Sequence, residues 1–349
     1  MSRSPAGPVT SVTVVPVDAL DPADDALFAA WHATDQASGV ADFGDLHTVY
    51  SIDEIRAETR HSVSERSERF AVVAGDGSVP AAGAPFALAA AVLYLPLRDN
   101  PHLVWSTVAV HPDHRRRGIG TTLVTHLEAR CRELGRTTVT IDGARLFSRP
   151  DTMSTFAQRL GYDSALVTLR NDLELDAVPE SAAGSPPAGY RFVTWWDDVP
   201  DVWVDQQAAL TSRMSTDAPL GDLALQPELW DADRVREQWR IARDQGRRLV
   251  ETAAVHEDTG ALVAYTSMAV ARHTPHHAYQ WDTLVLREHR GHSLGIRLKH
   301  ANLRALRAEL PAVRRVITWN AESNEPMLRV NRAMGFEAIG TLVEWQKHL

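Results

Sequence analysis

A basic loop that leads into a glycine-rich helix start is the stretch of this chain best suited to bind a phosphate. An apolar strand ends at Val110, three arginines follow from residue 115, and Gly118 and Gly120 open an amphipathic helix. The first amides of a helix have no internal partners, the helix dipole adds partial positive charge there, and glycines let an anion approach the backbone. The pattern therefore predicts a phosphate or pyrophosphate site.

The spacing of this loop separates it from two other phosphate-binding motifs. No Gly-Lys-Ser/Thr follows, as a P-loop requires, and the dinucleotide fingerprint GxGxxG is absent. Instead Arg115, Gly118 and Gly120 form an Arg-x-x-Gly-x-Gly motif between a strand and a helix, and a later short helix ends at Gly161-Tyr162. This combination resembles the GNAT superfamily of acyl-coenzyme A N-acyltransferases, and the resemblance covers nearly the whole chain.

The resemblance implies that one strand and the following loop bind acetyl-coenzyme A. The strand would pair its backbone with the pantetheine arm, the loop amides would hold the pyrophosphate, and a backbone N–H near Val108 would stabilise the oxyanion. The residues implied are Val108, Val110, Arg115, Arg116, Arg117, Gly118, Ile119, Gly120 and Thr121.

The second half of the chain carries a related loop that departs from the motif. Aligning Arg290 with Arg115 places Ser293 at the position of Gly118, whereas Gly295 matches Gly120. The later Gly335-Phe336 pair matches Gly161-Tyr162. A serine side chain would crowd the closest approach of a phosphate. We therefore expect the first half to hold the acyl donor, and the second half, with a degenerate loop, mainly to shape the acceptor site or the domain interface.

The acid and base of the reaction are not fixed by the sequence. Many GNAT proteins place a tyrosine acid four residues before the Gly-aromatic pair, where this chain has Ala157 and Asn331. Another residue, water or positioning alone could replace it. The candidate bases are His102, Asp282 and three carboxylates after the first helix, Asp35, Asp42 and Asp45; burial beside Trp281 would raise the pKa of Asp282. Candidate acceptor contacts follow the first helix of each half: Asp35, Asp42, Asp45, Met214 and Asp217.

Both motif regions need a scaffold, and the chain is long enough for two domains. Each half shows a helix, a hairpin, a strand, an amphipathic helix, a strand, a short helix and a final strand, which indicates an internal duplication. We predict an α/β fold of two tandem GNAT-like domains, each a mixed twisted sheet flanked by helices. The predicted bounds are 8–175 for the first domain, 176–188 for a Pro- and Ala-rich linker and 189–349 for the second domain.

Composition narrows the class of partner. The formal charge is −9, which argues against a nucleic-acid-binding protein and weakly favours cationic substrates. No apolar run suits a membrane span, and the N-terminus lacks the apolar core of a signal peptide, so we expect a cytoplasmic protein. We expect it to be a monomer or a homodimer.

Cys131 lies on the apolar stripe of a helix and is expected in the core. His273, His276 and His277 lack partners at metal-ligand spacing, so no metal is expected.

Three functions fit these features. The leading hypothesis is an acetyl-CoA-dependent N-acetyltransferase that acts on the amine of a small molecule, such as a metabolite or an antibiotic. The first alternative is a non-catalytic acyl-CoA-binding or interaction protein, because both tyrosine positions lack the acid. The second alternative is acetylation of a peptide or protein N-terminus.

Overall fold

The computed structural model describes residues 11–75, 86–178 and 184–349. The chain folds into two compact units. Unit 1 contains the chain up to residue 145, residues 149–164 and the C-terminal residues 344–349. Unit 2 contains residues 146–148 and 165–343. Among the described residues, no helix is both long and apolar enough to cross a membrane.

Unit 1 is a mixed sheet with helices packed against it. Its strands are β1 (Val12–Val17), β2 (Glu65–Ala74), β3 (Ala89–Pro96), β4 (Leu103–Val110) and β5 (Thr138–Leu146). Its helices are α1 (Asp25–Phe43), α2 (Ile52–His61), α3 (Ile119–Glu133) and α4 (Met153–Arg159). The strands lie in chain order, and every neighbouring pair is antiparallel except β4 and β5, which are parallel.

Unit 2 repeats this plan with a longer set of strands. They are β6 (Asp163–Glu174), β7 (Tyr190–Trp196), β8 (Arg247–His256), β9 (Leu262–Ala271), β10 (His277–Val285), β11 (Arg315–Ala321) and β12 (Glu337–His348). The helices are α5 (Val204–Asp217), α6 (Ala232–Asp244), α7 (Leu294–Glu309) and α8 (Glu325–Met334). The order is β12-β6-β11-β10-β9-β8-β7, and β10 and β11 are parallel.

The helix that follows the phosphate loop is held by the predicted apolar stripe. Leu123, Leu127 and Cys131 of α3 are at most 1% exposed. Burying a leucine side chain stabilises the fold by about 2 kcal/mol, so this stripe fixes the N-terminus of α3 against the sheet. Burial also raises the pKa of the Cys131 thiol to about 12. Cys131 is therefore a core residue and not a thiolate nucleophile.

The terminal strands of the two halves do not follow the predicted boundaries at 175 and 189. The segment 165–174, expected in the first domain, belongs to unit 2, where β6 pairs with β11 from Thr168↔Ala321 to Glu174↔Arg315. Residues 344–349, expected in the second domain, belong to unit 1. Strands of similar pattern can exchange because either partner satisfies the same backbone hydrogen bonds. Of the predicted linker, residues 179–183 lie outside the described part of the chain.

Candidate active sites

The first phosphate loop presents free backbone donors. Gly118 and Arg116 have φ of +81° and +64°, so the backbone turns sharply before α3 begins. The amides of residues 116–121 have no acceptor within the described chain, whereas the Thr122 amide already donates to the Gly118 carbonyl. A Cβ added at Gly118 would meet nothing within 4 Å. The loop therefore offers an open ring of donors to an anion.

The side chain of Arg115 holds this loop in place. The sequence instead predicts a cation that extends from the loop. Its guanidinium donates to both carboxylate oxygens of Asp42 at 2.9 and 3.0 Å, and its Nε donates to the Val110 carbonyl at 3.1 Å. Asp42 lies on α1, which continues to Phe43, so Asp35 and Asp42 are helix residues and not loop residues as expected. The paired Arg115 joins helix, strand and loop, and leaves Arg116 and Arg117 as the exposed cations.

The second phosphate loop has the same backbone form despite its serine. Gly291 and Ser293 have φ of +91° and +56°, at the positions of Arg116 and Gly118. Arg290 donates to the Val285 carbonyl at 3.1 Å and to Asp217 at 2.9 Å, which repeats the contacts of Arg115. The amides of residues 291–296 have no acceptor within the described ranges. The predicted weakness of this loop is therefore not visible in its backbone.

Each loop follows a strand with an open edge. The β4–β5 pairing ends at Ser106↔Ile141, so Val108 and Val110 pair only with β3. The β10–β11 pairing ends at Tyr279↔Ile317. Beyond these points the parallel strands diverge and leave backbone donors and acceptors for an extended ligand.

A bulge and a cavity distinguish unit 2. The β9–β10 register shifts between Gln280 and Thr283, so Trp281 and Asp282 are displaced from the regular ladder. Bulges redirect side chains and recur beside active sites. Here Asp282 lines a cavity of about 310 Å³. The other lining residues are Thr211, Met214, Ser215, Ala218, Leu220, Leu225, Gln226, Glu228 and Trp230. The described register of β3 and β4 in unit 1 has no such shift.

Comparison with known proteins identifies the family to which this chain belongs. The model of the acetyltransferase (GNAT) family matches residues 39–162 and 215–336, which together make up most of the chain. The chain belongs to the GNAT acetyltransferase family. This membership assigns acyl transfer to the chain, with acyl-CoA as the family's usual donor, and confirms the predicted tandem arrangement. No curated protein matches the chain.

Solved structures support the GNAT assignment over the whole chain. A tandem GNAT protein from the clavulanic acid biosynthesis pathway, solved without AcCoA, is 29% identical with a TM-score of 0.76, covering 97% of this chain and 98% of that one. A GCN5-related N-acetyltransferase from Sphaerobacter thermophilus is 20% identical with a TM-score of 0.64, covering 97% and 95%. N-myristoyltransferase from Saccharomyces cerevisiae, with bound myristoyl-CoA, shares the fold at 10% identity and a TM-score of 0.59, covering 99% and 82%.

Two carboxyl groups lie together behind the GNAT cavity of unit 2. Burial raises the pKa of Asp282, while the Tyr265 hydroxyl, which donates to Asp282 at 3.2 Å, opposes that rise. Glu251 on β8 is 2% exposed, and its Oε1 has no hydrogen-bond partner. Burial and the nearby Asp282 raise the pKa of Glu251 well above its ordinary value. Both carboxyl groups therefore keep their protons to higher pH than an exposed carboxyl does, and Asp282 is the one that lines the cavity.

The remaining predicted residues fall in different places. Met214 lines the cavity with Asp282. The side chain of Asp217 is 2% exposed and pairs with Arg287 and Arg290, so it anchors the second loop. The His102 carbonyl accepts from the Thr137 and Thr138 amides, at the end of β4 remote from the phosphate loop. Within the described ranges, no group of His, Cys, Asp or Glu could hold a metal.

Sequence reasoning missed a carboxyl cluster in unit 1. Asp35 on α1 was predicted, but Asp142 on β5 and Glu344 on β12 join it from distant segments. Burial raises the pKa of Asp35 and of Asp142 to about 6, and the neighbouring Asp35 adds to the rise for Asp142. Burial and Asp142 raise the pKa of Glu344 to about 7. Asp142 lies directly after the last β4–β5 pair, where the strands diverge.

This cluster makes the stability of unit 1 depend on pH. A carboxyl whose pKa is higher in the folded chain than in the unfolded chain stabilises the fold below about pH 4, and that contribution disappears as the pH rises to about 6 or 7. We expect Asp142→Asn to raise the free energy of unfolding by about 2 kcal/mol at pH 8 and to leave it unchanged at pH 4. Calorimetric melting at both pH values measures this. The exposed Asp163→Asn is the control, and an Asp142→Asn variant without added stability at pH 8 would contradict the prediction.

Proposed function

We propose that the chain is an acetyl-CoA-dependent N-acetyltransferase that acts on the amine of a small molecule. The observation that carries this proposal is Asp282, a half-buried carboxyl placed by a β-bulge in a cavity beside the open edge of β10. A base at this point can accept the proton that an amine must lose before it attacks a thioester.

The donor side of the proposal rests on the two loops. Six amides without internal partners and the positive end of a helix suit a pyrophosphate, and the diverging strands leave room for an extended arm. Acetyl-CoA would supply the acetyl group as an activated thioester. The loops and strand edges would orient it and hold its phosphates. Because Ser293 has the conformation of Gly118, we propose that both loops bind the donor.

The acceptor side rests on the lining of the cavity in unit 2. Met214, Leu220, Leu225 and Trp230 provide apolar walls, and Asp282 and Glu228 provide carboxyl groups. Apolar walls with a few convergent polar groups are typical of small-molecule sites, and carboxylates attract an ammonium group. A volume of about 310 Å³ favours a small amine over a peptide chain. The tandem GNAT relative belongs to a pathway that makes a small molecule, which agrees with this choice.

The buried base also bears on the non-catalytic alternative. A protein that only binds acyl-CoA gains nothing from an ionisable carboxyl in an apolar cavity, because burying a charge costs free energy. The arrangement of Asp282 with Tyr265 and Glu251 is instead typical of a proton-transfer site.

An amine panel tests the proposed function. Purified protein and acetyl-CoA are incubated with small primary amines, aminoglycoside-like polyamines and short peptides with free N-termini, and release of free thiol is followed. We expect transfer to at least one small amine and none to the peptides. Transfer to peptides alone would favour the peptide alternative, and acetyl-CoA binding without transfer to any acceptor would favour the non-catalytic one.

A further inference from the structure

A buried lysine lies in the core of unit 2 without a carboxylate partner among the described residues. Lys299 on α7 is 1% exposed, and burial lowers its pKa to about 7. Its Nζ donates to Asn331 Oδ1 at 2.8 Å and lies 5.4 Å from the centre of the Phe336 ring. The other lysine of the chain, Lys347, pairs with Glu128 at 2.8 Å. A buried cation with so few partners is costly, so its retention calls for a role.

Lys299 fixes the direction of a hydrogen-bond chain. Lys299 donates from Nζ to Asn331 Oδ1, so Asn331 turns its Oδ1 towards Lys299 and its Nδ2 away. Asn331 is fully buried, and its Nδ2 donates to Asn320 Oδ1 at 2.6 Å. Asn320 must then direct its own Nδ2 elsewhere. The described chain gives the Asn320 Nδ2 no acceptor. The chain of hydrogen bonds from Lys299 through Asn331 to Asn320, here called the relay, therefore ends in two free N–H donors.

The end of the relay lies where β10 and β11 diverge. Asn320 is three residues beyond the last β10–β11 pair, Tyr279↔Ile317, and its backbone pairs with Leu169 on the other side. Its side chain is partly buried. Lys299 lies six residues after Ser293, which is about 9 Å along the helix that begins at the second phosphate loop. The relay thus connects the helix of that loop with the open strand edge.

We propose that Asn320 donates from Nδ2 to the reacting thioester group of the acyl donor in unit 2, and that Lys299 and Asn331 are positioning residues that fix this donor. The inference rests on the proposed function. Negative charge develops on the thioester during attack by an amine, and a preorganised donor in a site of low dielectric stabilises it. A charged group at the head of the chain polarises each hydrogen bond after it and strengthens the terminal donor. Asn331, the middle residue of the relay, occupies the position where the family resemblance leads one to expect a tyrosine.

Asn331→Asp separates this role from a structural one. An aspartate still accepts from Lys299, but it cannot donate to Asn320. The Asn320 amide therefore turns so that Nδ2 donates to the aspartate, and Oδ1 then faces the space between the diverging strands β10 and β11. We expect kcat to fall about 100-fold, with little change in the KM for acetyl-CoA and with an unchanged or higher Tm. Asn320→Ala should show the same loss of kcat. A purely structural relay predicts that Asn331→Asp keeps the wild-type kcat, and that result would overturn the proposal.

A nuclear magnetic resonance experiment gives a readout that does not depend on turnover. With ¹³Cε-labelled lysine the chain gives only two signals, and Lys347 serves as the internal control. We expect the pKa of Lys299 to rise in Asn331→Asp, because a carboxylate replaces the amide. In the wild type, acetyl-CoA should shift the ¹⁵N-side-chain amide signal of Asn320. An unshifted Asn320 signal would refute the relay, whereas a shifted signal with no acetylated amine would refute only the proposed function.

Discussion

Asp282→Asn should lower kcat/KM for amine acetylation on the order of 10²- to 10⁴-fold near pH 7. Burial raises the pKa of Asp282, so the wild-type rate should rise with pH as Asp282 loses its proton. An asparagine of the same shape cannot accept the proton of the amine. The substrate must then lose its proton to water, and the rising limb of the profile should move towards the amine's own pKa, near ~10. The measurement is kcat/KM between pH 5 and pH 10.

Glu228→Gln is the matched control for this experiment, since Glu228 lines the same cavity. It should weaken binding of a cationic acceptor and raise KM, and it should keep the rising limb but move it to lower pH, because the Glu228 charge adds to the raised pKa of Asp282. Glu251→Gln should also largely preserve activity, because burial and Asp282 raise the pKa of Glu251 well above its ordinary value and so favour its neutral form. An Asp282→Asn enzyme with the wild-type pH profile would show that another group takes the proton.

Two acetyl-CoA molecules should bind per chain. In a calorimetric titration, Gly118→Trp should remove one site and Ser293→Trp the other, each with a loss of at least about 100-fold in affinity. Residues 118 and 293 each lie within the run of free amides of their loop, so an indole there would occupy space that a pyrophosphate needs. Ser293→Gly should bind at least as tightly as the wild type, because it relieves a left-handed backbone strain of about 1 kcal/mol.

Gly135→Trp is the control for backbone strain. Gly135 lies at the other end of α3 with φ of +69°, and a Cβ there meets nothing within 4 Å, as at Gly118. It should lower stability without removing a site. A single site that Gly118→Trp abolishes and Ser293→Trp leaves intact would restore the prediction made from sequence, in which the second loop is degenerate.

The parts of the site that were predictable from sequence are local in the chain. The spacing of Arg115, Gly118 and Gly120 indicated the loop, and the apolar stripe fixed the bounds of α3 within one residue. Asp282 was placed on the strand before the second loop, where the structure has it. The bulge that turns Asp282 into the cavity depends on the register of β10 against β9, and residue pattern alone does not reveal a one-residue shift.

Other features required contacts between distant segments. Glu251 approaches Asp282, and Asp142 approaches Glu344, only once the strands are assembled. The partner of Arg115 was unknown because a sequence does not show which acid a surface arginine meets. One missed element did carry a signal: Ser51 and Glu54 form the capping box that starts α2, and their Ser-x-x-Glu pattern is visible in the sequence.

The exchange of terminal strands bears on how the protein is made. Unit 1 includes residues 344–349, and unit 2 includes residues 146–148 from the middle of the chain. Domains usually fold as units during synthesis, the N-terminal one first. Here the first unit stays incomplete until residues 344–349 have been synthesised, with an edge of β5 exposed to other chains in the interval. A cut at residue 175 would therefore separate residues 165–174 from unit 2 and residues 344–349 from unit 1.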